Sequence, residues 1–204
     1  MPIIKQTEST FLPVPAGTHV SRCYSMVSIG TQKSLNPQYT PKFQVILFFE
    51  IPGETITVGG ETRPMVISEW LNCYFGSATK PSKTRTLIES WRGRPFSEQE
   101  LAGFNIANVV GAPCLLNVMH EVKAGKSREK IASITPLPKG MVCPPQFHKS
   151  VVYEIEQGRD AVFQALPPWV QKKIEACEEW NHTPAADEPA TVAEDNSGDS
   201  EIPF

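Results

Sequence analysis

The sequence predicts a mainly β fold: a small barrel with a short helical insertion, a C-terminal helix and a disordered acidic tail. Three observations carry this. Apolar segments of strand length recur between Pro-, Gly- and polar-rich breaks over residues 17–135. Two helix-start signatures fall together before the last two of these segments. Beyond residue 180 aliphatic periodicity stops, and Pro, Ala, Asp, Glu, Ser and Gly take over.

Residues 17–30 read as the first strand. Alternation places Val20, Arg22, Tyr24 and Met26 on one face and Cys23, Val27 and Ile29 on the other. A polar loop with Pro37 and Pro41 follows. Residues 42–51 form the clearest strand, bounded by Pro41 and by Pro52-Gly53. Its adjacent Phe48 and Phe49 cannot both face one core. Residues 55–58 and 64–68 pair as a hairpin around Gly59-Gly60. Ser82 caps a helix over residues 83–91 that stops at Gly93. Ser97 and Glu100 make a capping box, with Phe96 and Leu101 as its hydrophobic staple, for a helix ending near Gly103. Residues 114–122 and 130–135 are strands, and residues 123–130 are read as a basic hairpin loop between them. Residues 136–145 are Pro-rich and non-helical. A last helix is expected over 168–180, opened by Pro167-Pro168. Strands separated by turns, with a helical excursion before the last two, suit the five-stranded oligonucleotide-binding (OB) barrel. The expected division is a barrel domain over 1–145, a helical extension over 146–180 and a tail over 181–204.

The net charge of −3 conceals an asymmetry. Residues 1–150 carry sixteen Lys and Arg against ten Asp and Glu, a net +6, whereas residues 181–204 carry six acids and no Lys or Arg. A basic body points to a polyanion partner, and an acidic tail to a separate role. The five cysteines, at 23, 73, 114, 143 and 177, form no Cys-x-x-Cys pair, so neither a zinc site nor a disulfide scaffold is expected. No run of eighteen apolar residues occurs, and the first residues lack the pattern of a secretion signal; the expected location is the cytoplasm.

Catalytic signatures are missing. No phosphate loop, dinucleotide-binding glycine motif or nucleophile elbow is present, and the acids of the body are scattered rather than clustered. The expectation is a binding protein without cofactor or metal. Its cations interleave with aromatics, as single-stranded nucleic acid requires: flat rings stack on exposed bases, and Lys or Arg neutralises phosphates. The candidate stacking residues are Tyr24, Trp91 and Phe43. The candidate phosphate contacts are Arg22, Lys42, Arg92, Arg94, Lys123, Lys126, Arg128 and Lys130. Each of these aromatics could equally serve the core.

The chain ends Gly198-Asp199-Ser200-Glu201-Ile202-Pro203-Phe204. This resembles the acidic tip of bacterial single-stranded DNA-binding proteins, although Ser200 interrupts the acids where that family has an unbroken run. The resemblance implies that Asp199, Glu201, Ile202, Pro203 and Phe204 engage replication or recombination proteins. Phe204 would fill an apolar pocket, and its carboxylate would pair with a basic rim. The body carries a second resemblance, over residues 13–140. It rests on Pro15-Ala16-Gly17-Thr18-His19-Val20-Ser21-Arg22-Cys23-Tyr24, on Glu89-Ser90-Trp91-Arg92-Gly93-Arg94-Pro95-Phe96, and on Asn108-Val109-Val110-Gly111-Ala112-Pro113-Cys114-Leu115-Leu116-Asn117-Val118. These resemble a family of tailed-phage replication-module proteins regarded as single-stranded DNA-binding. That resemblance implies an OB fold, single-stranded DNA as partner, and the host cytoplasm as location. A monomer and a homo-oligomer both remain open.

Overall fold

The run Val45-Ile46-Leu47-Phe48-Phe49 is continuously apolar rather than alternating, the pattern of a strand buried on both faces, and both faces are covered. The structure, a computed structural model, describes residues 12–34, 38–123 and 125–180, without the side chains of Lys123 and Lys126. The strands are β1 (Gly17–Gln32), β2 (Lys42–Val58), β3 (Glu61–Asn72), β4 (Pro113–Lys123), β5 (Lys126–Thr135) and the short β6 (Val151–Tyr153). The helices are α1 (Lys83–Arg92), α2 (Glu98–Ala102), α3 (Ala161–Ala165) and α4 (Pro168–Glu175), with single 3-10 turns at Ile106–Val109 and Ile155–Gln157. The first five strands make a curled antiparallel half-barrel in the order β3-β2-β1-β4-β5. β6 joins β1 in parallel at Ser25–Val27, on the edge that β4 occupies only as far as Arg22. Among the described residues no helix is long and apolar enough to cross a membrane.

Leu47 and Phe49 face the interior of the curl, where they meet Ile88 and Trp91 of α1 and Leu116 and Ile134 of β4 and β5. Ile46 and Phe48 face outward into a second core, built with Tyr153, Phe163, Val170, Ile174 and Trp180. Both phenylalanines are therefore buried, one in each core.

The local signals for helices match the structure. Ser82 Oγ accepts the Arg85 amide, and Gly93 ends α1 in the left-handed region at φ 67°, which glycine tolerates without penalty. The Ser97–Glu100 capping box closes on both sides. Four expectations need correction. A bulge between Cys23 and Ser25 shifts the register of β1 by one residue, so Cys23 shares the inner core with Met26 while Val27 and Ile29 belong to the outer one. An extra residue inverts every side chain beyond it. β2 does not end at Pro52-Gly53; its pairing jumps from Ile51 to Thr55 and resumes to Val58. Proline lacks the N–H for the ladder and is accommodated in a bulge. Residues 123–130 are not a loop: β4 and β5 run to Lys123 and from Lys126 around a turn at Gly125. The segment resembles a loop only in composition, because its charged residues sit on strands rather than in a connection. Finally, α4 stops at Glu175 and the chain turns back to seat Cys177 and Trp180 in the outer core. Residues 181–204, with the expected tail and tip, lie outside the described residues.

Candidate nucleic-acid interface

The outer face of β2 and β3 carries alternate residues in register. Phe48 lies opposite Ser68, Ile46 opposite Trp70, and Gln44 opposite Asn72, whose side chains hydrogen-bond at 2.8 Å. Beyond them Lys42 Nζ sits 4.5 Å from the centre of the Tyr74 ring and donates to its hydroxyl. The C-terminal extension covers only part of this face and adds rings of its own. Trp70 and Trp169 stack with centres 6.0 Å apart and planes 22° apart. Trp169 meets Phe48 at 6.1 Å, Phe48 meets Tyr24 at 6.3 Å, Tyr24 stacks on His148 at 4.7 Å, and His148 meets Phe147 at 5.1 Å. Six rings thus form one continuous run. Its ends reach solvent: Trp70 is 38%, Trp169 44% and Phe147 51% exposed.

A cleft of about 830 Å³ opens along the middle of the run, with Tyr24, Phe48, His148 and Trp169 among its walls and Arg63 and Glu129 as its charged lining. Lys173 Nζ lies 5.8 Å from the Trp70 ring. Among the described residues neither Arg63 nor Lys173 has a carboxylate at ion-pair distance. Two cations thus stand beside an aromatic surface without an ion pair among the described residues. Burial, reinforced by the nearby Glu50 charge and opposed by Arg63, pushes the Tyr24 phenol up to about 12, so at neutral pH it is an uncharged ring.

The wall at residues 144–148 is held from β1 and β2. Glu50 is fully buried, and its carboxylate accepts the amides of Phe147 (3.1 Å) and His148 (2.8 Å) and lies 2.9 Å from His148 Nδ1. Burying a carboxylate is costly unless such donors surround it. Arg22 donates to the carbonyls of Gly111 and Pro144.

Of the residues proposed from sequence, Tyr24 lies in the cleft and Lys42 at the far end of the same sheet face, whereas Phe43 alternates away from that face and is half-buried against both cores. Trp91 does not lie on that face either: it is buried against Phe49 at 5.5 Å and donates its indole N–H to the Pro113 carbonyl. A tryptophan on the apolar side of a helix that closes a curled sheet is drawn into the core. Arg22 is spent on backbone carbonyls. Arg92 and Arg94 both pair with Glu100, and Arg92 lies over Phe96. Hydrogen bonds from Arg94 and then Arg92 hold the Glu100 carboxyl well below the usual carboxylate range. Arg128 is exposed on β5, and Lys130 faces Glu121 at 3.7 Å. Lys123 and Lys126 flank the turn, their side chains outside the described residues.

Trp169, His148 and Arg63 escaped sequence reasoning. Trp70 and Lys173 are likewise outside the residues that the sequence singles out. The available signal was the unbroken apolar run in β2: it implies a covered outer face, and hence a covering segment with exposed rims. The chain matches no protein-family model and no curated protein sequence.

Proposed function

We propose that this protein binds single-stranded DNA without catalysing its conversion. The observation that carries the reading is the six-ring run across the outer face of β2 and β3, with Lys173 of α4 beside Trp70 and Arg63 in the wall of the adjoining cleft. Stacking on rings is worth roughly 1–3 kcal/mol per base and tolerates any sequence, while phosphate contacts add salt-dependent affinity. The strand order, with α1 and α2 between β3 and β4, supports reading the half-barrel as an OB fold, whose ligands lie across the second and third strands. The terminal Ile202-Pro203-Phe204 supports a place in replication or recombination, with the tip recruiting partner proteins, and the body's resemblance supports a phage origin.

The test is fluorescence anisotropy with labelled oligo-dT and with a duplex of equal length across a salt series. The expected result is tight binding to the single strand, far weaker binding to the duplex, and affinity falling steeply with salt. Equal affinity for both overturns the stacking basis. DNA cleavage by the purified protein overturns the non-catalytic reading.

A further inference from the structure

We infer that Trp70 and Trp169 form a two-walled clamp that takes one unstacked nucleobase between their indoles, with Lys173 on an adjoining phosphate. The inference rests on the single-strand reading above and names the point at which a base is gripped. The two rings come from different layers. Trp70 stands on β3, fixed by the ladder opposite Ile46. Trp169 stands in the first turn of α4, and the corner before that helix is pinned by Gln171, whose side-chain amide nitrogen has the carbonyls of Phe163, Gln164 and Leu166 within 2.9–3.1 Å for its two N–H donors. Phe48 backs Trp169 from the buried side.

The two indoles stack on each other at the surface, so each offers the other a face that a base can take over. Ring pairs in contact have centres roughly 4.5–7 Å apart, and this near-parallel pair, at 6.0 Å, stands in the wider part of that range although both rings are well exposed. A base between two rings needs their planes about 7 Å apart, twice the ~3.4 Å rise of stacked nucleotides, so its entry replaces the single indole–indole stack by two indole–base stacks. A sandwich needs both faces of one base. In a duplex each base has its faces covered by neighbours and its edge paired, so only a base that has left the stack can enter. Lys173, one helical turn beyond Trp169, brings positive charge to the same mouth. The C-terminal extension then supplies one wall of the binding site as well as covering the sheet.

The experiment uses the full chain carrying 5-fluorotryptophan, titrated with short oligo-dT and followed by fluorine NMR. Signals are assigned with Trp70→Phe and Trp169→Phe. The Trp70 and Trp169 signals are expected to move together with one midpoint, while those of the buried Trp91 and Trp180 stay. In parallel, Trp70→Ala and Trp169→Ala are each expected to weaken oligo-dT binding about tenfold, and the phenylalanine variants much less. Movement of one signal alone overturns the clamp, as do alanine variants that bind like the intact protein; in both cases the single-strand reading survives. Absence of oligo-dT binding by the intact protein overturns both. The NMR arm reads the unsubstituted fold, so an alanine variant that fails to fold leaves the clamp testable.

Discussion

Arg22 and Glu50 face each other across the β1–β2 ladder and hold the same loop with opposite charges. Arg22 grips the Pro144 carbonyl at 3.1 Å, and Glu50 takes the amides of Phe147 and His148. In the sequence Arg22 reads as a phosphate contact, and Glu50 carries no signal of a role. The fold gives both to the wall of the cleft.

Glu50→Ala should therefore act on stability and on the wall together. Two backbone amides and an imidazole lose their acceptor, so the expected loss is about 3 kcal/mol or more. Glu50→Gln keeps one acceptor oxygen but turns an amide donor toward the same N–H groups, and should fall between. Urea unfolding of the three proteins checks this. An unchanged midpoint for Glu50→Ala means that the loop is held by something else.

The cations divide into two groups that salt dependence separates. Arg63→Ala and Lys173→Ala should each weaken oligo-dT binding and reduce the slope of log affinity against log salt by about 1. The double variant Arg92→Ala, Arg94→Ala should leave that slope nearly unchanged, because both guanidiniums are already engaged by Glu100. Anisotropy titrations across a salt series measure all of these. Trp91→Ala, by contrast, should cost about 3–5 kcal/mol of folding free energy, as expected for truncating a core tryptophan.

Alkaline pH should expose the buried phenols. Tyr24 and Tyr153 are both pushed up to about 12, chiefly by burial. Between the ordinary tyrosine value of 10 and about 12 the unfolded chain releases these protons while the folded chain keeps them. The stability they contribute is thus complete below pH 10 and falls as pH rises through that window. Tyr24→Phe should flatten the fall, because one of the two groups is removed. Denaturant midpoints for both proteins at about pH 9 and about pH 11 provide the check.

The tail prediction comes from the sequence. Residues 181–204 carry six acids and no Lys or Arg, and a tethered polyanion competes with DNA at an effective concentration on the order of millimolar. Deleting them should raise oligo-dT affinity, most at low salt. Deleting Phe204 alone should leave DNA affinity nearly unchanged and remove capture of replication proteins. Capture that survives the loss of Phe204 would sink the tip assignment.

What the sequence determined by itself is what a few neighbouring residues can specify. The Ser82 cap, the Gly93 stop, the Ser97–Glu100 box and the Gly59-Gly60 turn each act within about one turn of chain, and all are legible without a fold. The strand-like character of residues 17–30 and 42–51 follows from composition in the same way. Tertiary structure decided which face each side chain serves. The bulge after Cys23 divided β1 between two cores, the curl drew Trp91 inward, and Glu100 engaged two arginines that read as free in the sequence. It also brought Trp70 on a strand to Trp169 on a helix far along the chain. Such a meeting depends on sheet twist, register and the path of the covering segment, and these are set by the packing of the whole chain rather than by any window within it.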